Sequence, residues 1–318
     1  MVAMRKSAFV IAWLMLCSLA LGAAWTTKRL SNSTGNSHYP SIAATDSAVY
    51  AVWADDASGN HEVYFRKSIN AGATWQIAQK LTDNKGESHN PALAINGSNV
   101  FIAWEDDTPG NIEIYFIKSA DGGATWQPAK RLTNNTGDSC NPALAISGSN
   151  LFLVWENETP GNNEIYFRKS LDDGATWQPA KKLTNKTLRS TSPALAVSGA
   201  NVCVVWNNKI TGTGEVYFRK STDSGATWQS LQRITNNTGN SNFPTIAIIG
   251  SIVYLSWADY TPGNGEIYFE KSIDGGATWQ TAKRLTNNSG ESFAPRIASS
   301  GASVYLVWQD PTPGNYEI

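Results

Sequence analysis

Six glutamates recur at Glu62, Glu113, Glu164, Glu215, Glu266 and Glu317, each 51 residues after the one before. Paired carboxylates could perform general acid–base chemistry. A residue repeated at every period is better read as architecture, a partner for backbone groups or for lysines of the Lys67 type on the same strand. A ligand site needs asymmetry, so residues that break the period carry more functional information. Two arginines do so, Arg189 and Arg296, and a guanidinium is suited to bidentate grip on a carboxylate. Five aromatics also stand outside the repeat: Tyr39, Tyr260, Tyr316, Phe243 and Phe293. His38, His89 and Cys140 share one repeat position, two residues before a proline, and imidazole with thiolate is a ligand set for a zinc-like ion. Drift at a variable position explains the same coincidence, and no cofactor is expected.

The elements that position these residues follow from the period. Tryptophans fall at Trp53, Trp104, Trp155, Trp206, Trp257 and Trp308, spaced 51 throughout, and a second set runs from Trp25 and Trp75 to Trp279. Each period reads as four short strands, in the second repeat Pro91–Ile95, Val100–Trp104, Glu113–Lys118 and Trp126–Leu132. Turn residues such as Asn96-Gly97 and Pro109-Gly110 separate them. No stretch has sustained helical periodicity. Four strands per period of about fifty residues predict an all-β, six-bladed β-propeller of four-stranded antiparallel blades. The second strand is apolar throughout, as a strand covered on both faces must be.

Between the third and fourth strands lies Ser119-Ala120-Asp121-Gly122-Gly123-Ala124-Thr125-Trp126. It recurs as Ser170–Trp177, Ser221–Trp228 and Ser272–Trp279, and as Ser68–Trp75 with Asn70 in place of Asp. This motif resembles the Asp-box (BNR) repeat of the sialidase superfamily, S-x-D-x-G-x-T-W, over essentially the whole chain after residue 24. The resemblance implies a six-bladed propeller with the boxes on the face away from the active site. The loop before the first strand and the loop between the second and third then share the substrate face, and the five aromatics all fall in those loops.

The resemblance also implies what an active enzyme would need: three arginines on the substrate carboxylate, a Tyr–Glu nucleophile pair and an Asp acid/base. Here Arg189 and Arg296 are the candidates for a clamp and no third stands out. The family's Arg-Ile-Pro signature is replaced by Pro40-Ser41-Ile42, and Arg296-Ile297 is followed by Ala298. Tyr260 is a candidate nucleophile without a base that the sequence identifies. The reading is therefore a non-catalytic recognition module for a glycan or protein, with an exo-sialidase or related glycoside hydrolase as the alternative and a structural envelope protein as a third class.

Composition bounds the rest. The chain has 318 residues, 41 % hydrophobic and 16 % charged, with 13 Trp and 26 Gly but only three His and three Cys. That is enough apolar matter for a sizeable core. The net charge of −1 falls to −3 once Arg5 and Lys6 are removed with the leader, which argues against a nucleic-acid partner. Arg5 and Lys6, the apolar run from Ala8 to Leu21 and the small residues Gly22-Ala23-Ala24 form a secretory signal peptide over 1–24, followed by one propeller domain over 25–318. The mature protein is then a secreted or cell-surface monomer with no membrane span. Cys140 and Cys203 read as thiols outside a disulfide framework. Seven N-x-S/T sequons, at Asn32, Asn96, Asn134, Asn157, Asn185, Asn236 and Asn287, largely follow the repeat.

Trp25–Leu30 matches a fourth strand and could complete the last blade, since closure removes exposed edges. The sixth repeat stops at Ile318, two residues into its third strand. About a dozen residues are missing relative to the other repeats, so the chain reads as truncated rather than ragged at its last blade.

Overall fold

The computed structural model describes residues 27–159, 162–185, 188–210 and 212–311. The leader, Tyr316 and Glu317 lie outside the described residues. The chain divides into two compact units, residues 1–135 and 136–318. All regular structure among the described residues is β, built as antiparallel sheets of consecutive strands.

The first unit holds two four-stranded sheets. One comprises β1 (Ser37–Ala44), β2 (Val49–Asp55), β3 (Glu62–Ser68) and β4 (Gln79–Lys80); the other β5 (Ser88–Asn96), β6 (Asn99–Asp106), β7 (Glu113–Ser119) and β8 (Lys130–Arg131). The second unit repeats the pattern three times. Its sheets are β9 (Ser139–Ser147) to β12 (Lys181–Lys182), β13 (Arg189–Ser198) to β16 (Gln232–Arg233), and β17 (Ser241–Ile249) to β20 (Lys283–Arg284). A two-stranded sheet, β21 (Phe293–Ser300) with β22 (Ser303–Gln309), follows.

Sheets stack face to face through their apolar second strands. In the first unit Val52, Phe65, Ile102 and Trp104 share one core. In the second, Phe152, Phe167, Val204 and Trp206 fill one interface and Val205, Phe218, Leu255 and Trp257 the next. β2 is buried at all seven positions, which accounts for its lack of polar alternation. The repeated Trp stacks on the Tyr opposite it on the third strand, Trp104 on Tyr115 at 5.8 Å and Trp155 on Tyr166 at 5.7 Å between ring centroids.

The Asp-box turn is built from the side chains its motif names. Asp121 accepts from the Thr125 backbone N–H at 2.9 Å and its hydroxyl at 2.6 Å, and the Gly123 N–H donates to Ser119 Oγ at 2.8 Å. The Thr125 and Ser119 hydrogen bonds hold the Asp121 carboxyl well below the usual carboxylate range. Asn70 keeps the acceptor role, its Oδ1 taking the Thr74 N–H at 2.8 Å.

Three expectations are corrected. The fourth strand is two residues long, not Trp126–Leu132. Trp126 instead sits edge-on against Phe65 of the preceding sheet, 5.0 Å between centroids, and donates through Nε1 to Gln79 Oε1 at 3.0 Å. Residues 27–36 form no strand either, yet Lys28 bonds the carbonyls of the Asn70 turn as Lys181 bonds those of the Asp223 turn. Finally, the segment before each proline is not loop. The first strand runs through it with a register shift, at residues of positive φ: Tyr39, Asn90, Asn141, Ser192, Phe243 and Ala294.

Candidate functional site

The repeated charges are committed to the scaffold. Glu113 is fully buried and accepts from Arg131 Nη2 at 2.7 Å and the Asn135 N–H at 2.9 Å. Glu215 and Glu266 bind Arg233 and Arg284 in the same way, and Glu164 binds Lys182 at 2.8 Å. The partner is thus the cation of the fourth strand, not the lysine of the third. Lys67 instead lies over the Tyr50 ring, 5.8 Å from its centroid. The other repeated arginines tie turns together: Arg219 donates to the carbonyls of Gln229 at 2.9 Å and Leu183 at 2.7 Å.

At the opposite ends of these strands from the Asp boxes, the bulge sets the non-repeat side chains. In the first unit Tyr39, at φ 51°, is 52 % exposed, an unusual state for a tyrosine in a strand. Its ring contacts His38 at 6.0 Å and His89 at 6.1 Å. His61, just before β3, joins them, 5.7 Å from His38 and 6.4 Å from His89. Glu87 Oε2 accepts from the His61 backbone N–H at 2.8 Å and lies 2.7 Å from Nδ1. His89 Nε2 lies 3.0 Å from buried Glu105, which also accepts from Asn90 Nδ2 at 2.7 Å. Burial works to lower the pKa of His89, but the hydrogen bond and charge of Glu105, with Glu87 and Asp107 behind it, outweigh burial and hold it raised.

In the second unit a buried carboxylate occupies the equivalent place. Glu156 accepts from Asn163 Nδ2 at 2.5 Å, Asn141 Nδ2 at 3.0 Å and the Ser192 N–H at 3.1 Å. In the next sheet Asn207 donates to Asn242 Oδ1 at 3.1 Å. Phe243, at φ 53°, is 40 % exposed. Tyr260 is half-buried; burial, and then the charge of Glu291, push its phenol pKa up. Phe293 is half-buried opposite Gln309.

Arg189 is exposed; Arg296 is reached by solvent yet closely surrounded, and that desolvation lowers its guanidinium pKa; the two occupy different sheets. Arg189 opens β13 opposite Lys209, a like charge. Arg296 pairs with Val307 and donates to the Pro295 carbonyl at 3.0 Å. Among the described residues neither forms an ion pair. The proposed ligand set of His38, His89 and Cys140 is not assembled either: no three His, Cys, Asp or Glu among the described residues could hold a metal ion, and the histidine partner that sequence reasoning missed is His61. Cys140 and Cys203 form no disulfide, and burial pushes the Cys203 thiol up to about 12.

Glu105, Glu156 and Asn207 were also missed. They follow the buried Trp, at a position that reads Ala54, Glu105, Glu156, Asn207, Ala258 and Gln309. The change of residue class from sheet to sheet was the available signal.

Stacked four-stranded antiparallel sheets carrying Asp-box turns define a sialidase-like propeller. Residues 103–310 match the family model described as BNR repeat-like domain, and the chain belongs to that family. The fold is shared with the Hadza microbial sialidase Hz136, at TM-score 0.57 and 14 % identity over 87 % of this chain and 65 % of that one. It is also shared with Trypanosoma rangeli sialidase, at 0.62 and 14 % over 89 % and 54 %, and with the NanB sialidase of Streptococcus pneumoniae, at 0.60 and 10 % over 87 % and 65 %. The chain therefore spans between half and two thirds of the length of these enzymes. No curated protein sequence matches it.

Proposed function

We propose that this chain is an exported recognition module that presents the ends of its sheets opposite the Asp boxes to a glycan or extracellular protein. The observation that carries the reading is the commitment of charge. Arg131, Arg233 and Arg284 are bound to buried glutamates and Arg66, Arg168 and Arg219 to backbone carbonyls. Arg29 stands at the repeat position of Arg131, so outside the repeat Arg189 on β13 and Arg296 on β21 remain for a carboxylate clamp, which needs convergence. Exposed aromatic rings held on strained bulges, as at Tyr39 and Phe243, are binding furniture rather than packing.

The hydrolase alternative rests on one specific feature, Tyr260 with Glu291 close enough to act on its phenol. A nucleophilic phenol needs a base within hydrogen-bond reach, and among the described residues no hydrogen bond joins Tyr260 to Glu291. The two readings separate in one experiment. The mature protein is assayed with a fluorogenic sialoside and, in parallel, for saturable binding on an immobilised glycan panel and to candidate surface proteins. Recognition predicts no turnover and binding weakened about tenfold or more by Tyr39→Ala or Phe243→Ala. Turnover abolished by Tyr260→Phe and by Arg296→Ala would establish the hydrolase instead.

A further inference from the structure

All three histidines of the chain lie in one cluster of the first unit, although their sequence intervals of 23 and 28 residues do not follow the 51-residue period. His38 comes from β1, His61 from the connection between β2 and β3, and His89 from β5. Their rings are 5.7 Å and 6.4 Å apart along the series His38, His61, His89, and Tyr39 closes the circle between the two ends. Every element around them contributes a carboxylate. Asp56, just beyond β2, accepts from the Asn36 N–H at 2.6 Å and Nδ2 at 3.0 Å; Glu87, on the segment entering β5, bonds both the backbone and ring of His61; Glu105 on β6 bonds His89; and Asp107, just beyond β6, accepts from the Glu87 N–H at 2.7 Å.

Two of these contacts join one sheet to the next or one strand to its neighbour through an imidazole. With neutral rings, His61 to Glu87 and His89 to Glu105 are ordinary hydrogen bonds inside a patch of four carboxylates. Protonation converts both into charge-assisted pairs, which are shorter and roughly twice as strong, and it relieves the repulsion among the acids. Glu87 is the solvent-facing member: its side chain is 44 % exposed, while its backbone N–H donates to Asp107 Oδ1 at 2.7 Å and the Ser88 N–H donates to the His61 carbonyl at 2.8 Å.

We infer that His38, His61 and His89 form one proton-sensing site that, on acidification, clamps the Glu87 segment onto His61 and fixes Tyr39 between His38 and His89. The exposed end of the first unit is then more ordered in acid than in base. Linkage requires this sign for His89, whose raised pKa adds stability below the value of the unfolded chain, an advantage lost as the pH climbs through the folded value. Because Tyr39 is the ring being fixed, the use of the clamp in ligand capture rests on the recognition reading above; the clamp itself does not.

The test uses the full mature chain without ligand. Imidazole titrations by NMR are combined with amide-exchange protection factors, each corrected for intrinsic rate, at pH 5 and pH 8. Wild type should show protection of residues 86–90 about tenfold higher at pH 5. In Glu87→Gln that ratio should fall below about twofold. His61→Gln reports the same loss from the other partner and stands in if Glu87→Gln does not fold. Equal protection at both pH values in wild type, or a protection ratio unchanged in both variants, would overturn the clamp. A protein that shows the clamp yet binds no glycan or surface protein overturns recognition alone, and one that shows the clamp and binds with no pH dependence overturns the use of the clamp in capture.

Discussion

Glu215 illustrates how a charge is tolerated in this core. It is fully buried but takes hydrogen bonds from Arg233 at 2.8 Å, the Thr235 hydroxyl at 2.5 Å and the Asn237 N–H at 3.3 Å. Arg233 keeps 36 % side-chain exposure. The two partners are therefore not equivalent. Glu215→Ala leaves a guanidinium that water can reach and should cost about 2–3 kcal/mol. Arg233→Ala leaves a carboxylate that water cannot reach and should cost about 3–5 kcal/mol. Urea denaturation of both variants checks the order, and a larger loss for Glu215→Ala would mean that the carboxylate finds another cation.

At the level of the element, the Asp-box turn depends on a residue without Cβ. Gly225 has φ 76°, and a Cβ there would lie 2.3 Å from Cζ of Phe167 in the preceding sheet. Gly225→Ala should therefore destabilise by about 2–4 kcal/mol, through strain and overpacking together. Gly97, at φ 58° in an open turn, meets nothing within 4 Å, so Gly97→Ala should cost only about 1 kcal/mol. Thermal melts of the pair separate the two causes.

The third strand makes a further prediction. At the position of Arg66, Arg168 and Arg219 the fifth sheet has Glu270, whose carboxyl burial pushes up to about 7. A raised carboxyl pKa gives stability below the unfolded value that is lost as the pH rises towards 7. The melting temperature should fall between pH 5 and pH 8, and Glu270→Gln should flatten that slope. Glu270→Arg should raise the midpoint at pH 8 by restoring the two carbonyl contacts that Arg219 makes; a lower midpoint would show that the fifth sheet has repacked around the acid.

For the chain as a whole, sheets that bury a face on a neighbour within each unit explain the composition. Apolar second strands and repeated tryptophans fill the interfaces between neighbouring sheets, one in the first unit and two in the second. No helix among the described residues is long and apolar enough to cross a membrane. Export is then the decisive whole-chain property for a recognition role. Expression of the complete sequence in a secreting host should yield a mature protein beginning at Trp25, read by intact mass, and an unprocessed chain retained in the membrane fraction would instead make residues 1–24 an anchor.

The sequence alone determined the period, the succession of strands, the turn chemistry of the Asp boxes and the apolar second strands. All of these rest on interactions among residues close in the chain, and repetition made each of them visible several times over. Tertiary structure decided which side chains from different strands and sheets meet. The pairing of Glu113 with Arg131 depends on the register of a two-residue strand, and the seat of Trp126 depends on Phe65 in another sheet. His61 joins His38 and His89 because a bulge before each proline sets the outer ends of the first strands, and because hydrogen bonds from the Ser88 N–H and to Glu87 tie His61 to the entry of β5. Burial of Glu105 and Glu156 was equally out of reach, since a carboxylate next to a core tryptophan looks exposed until its donors on neighbouring strands are in place. Periodicity reports what every sheet must share; a site is made where sheets differ, and those differences acquire partners only through contacts between strands and sheets far apart in the chain.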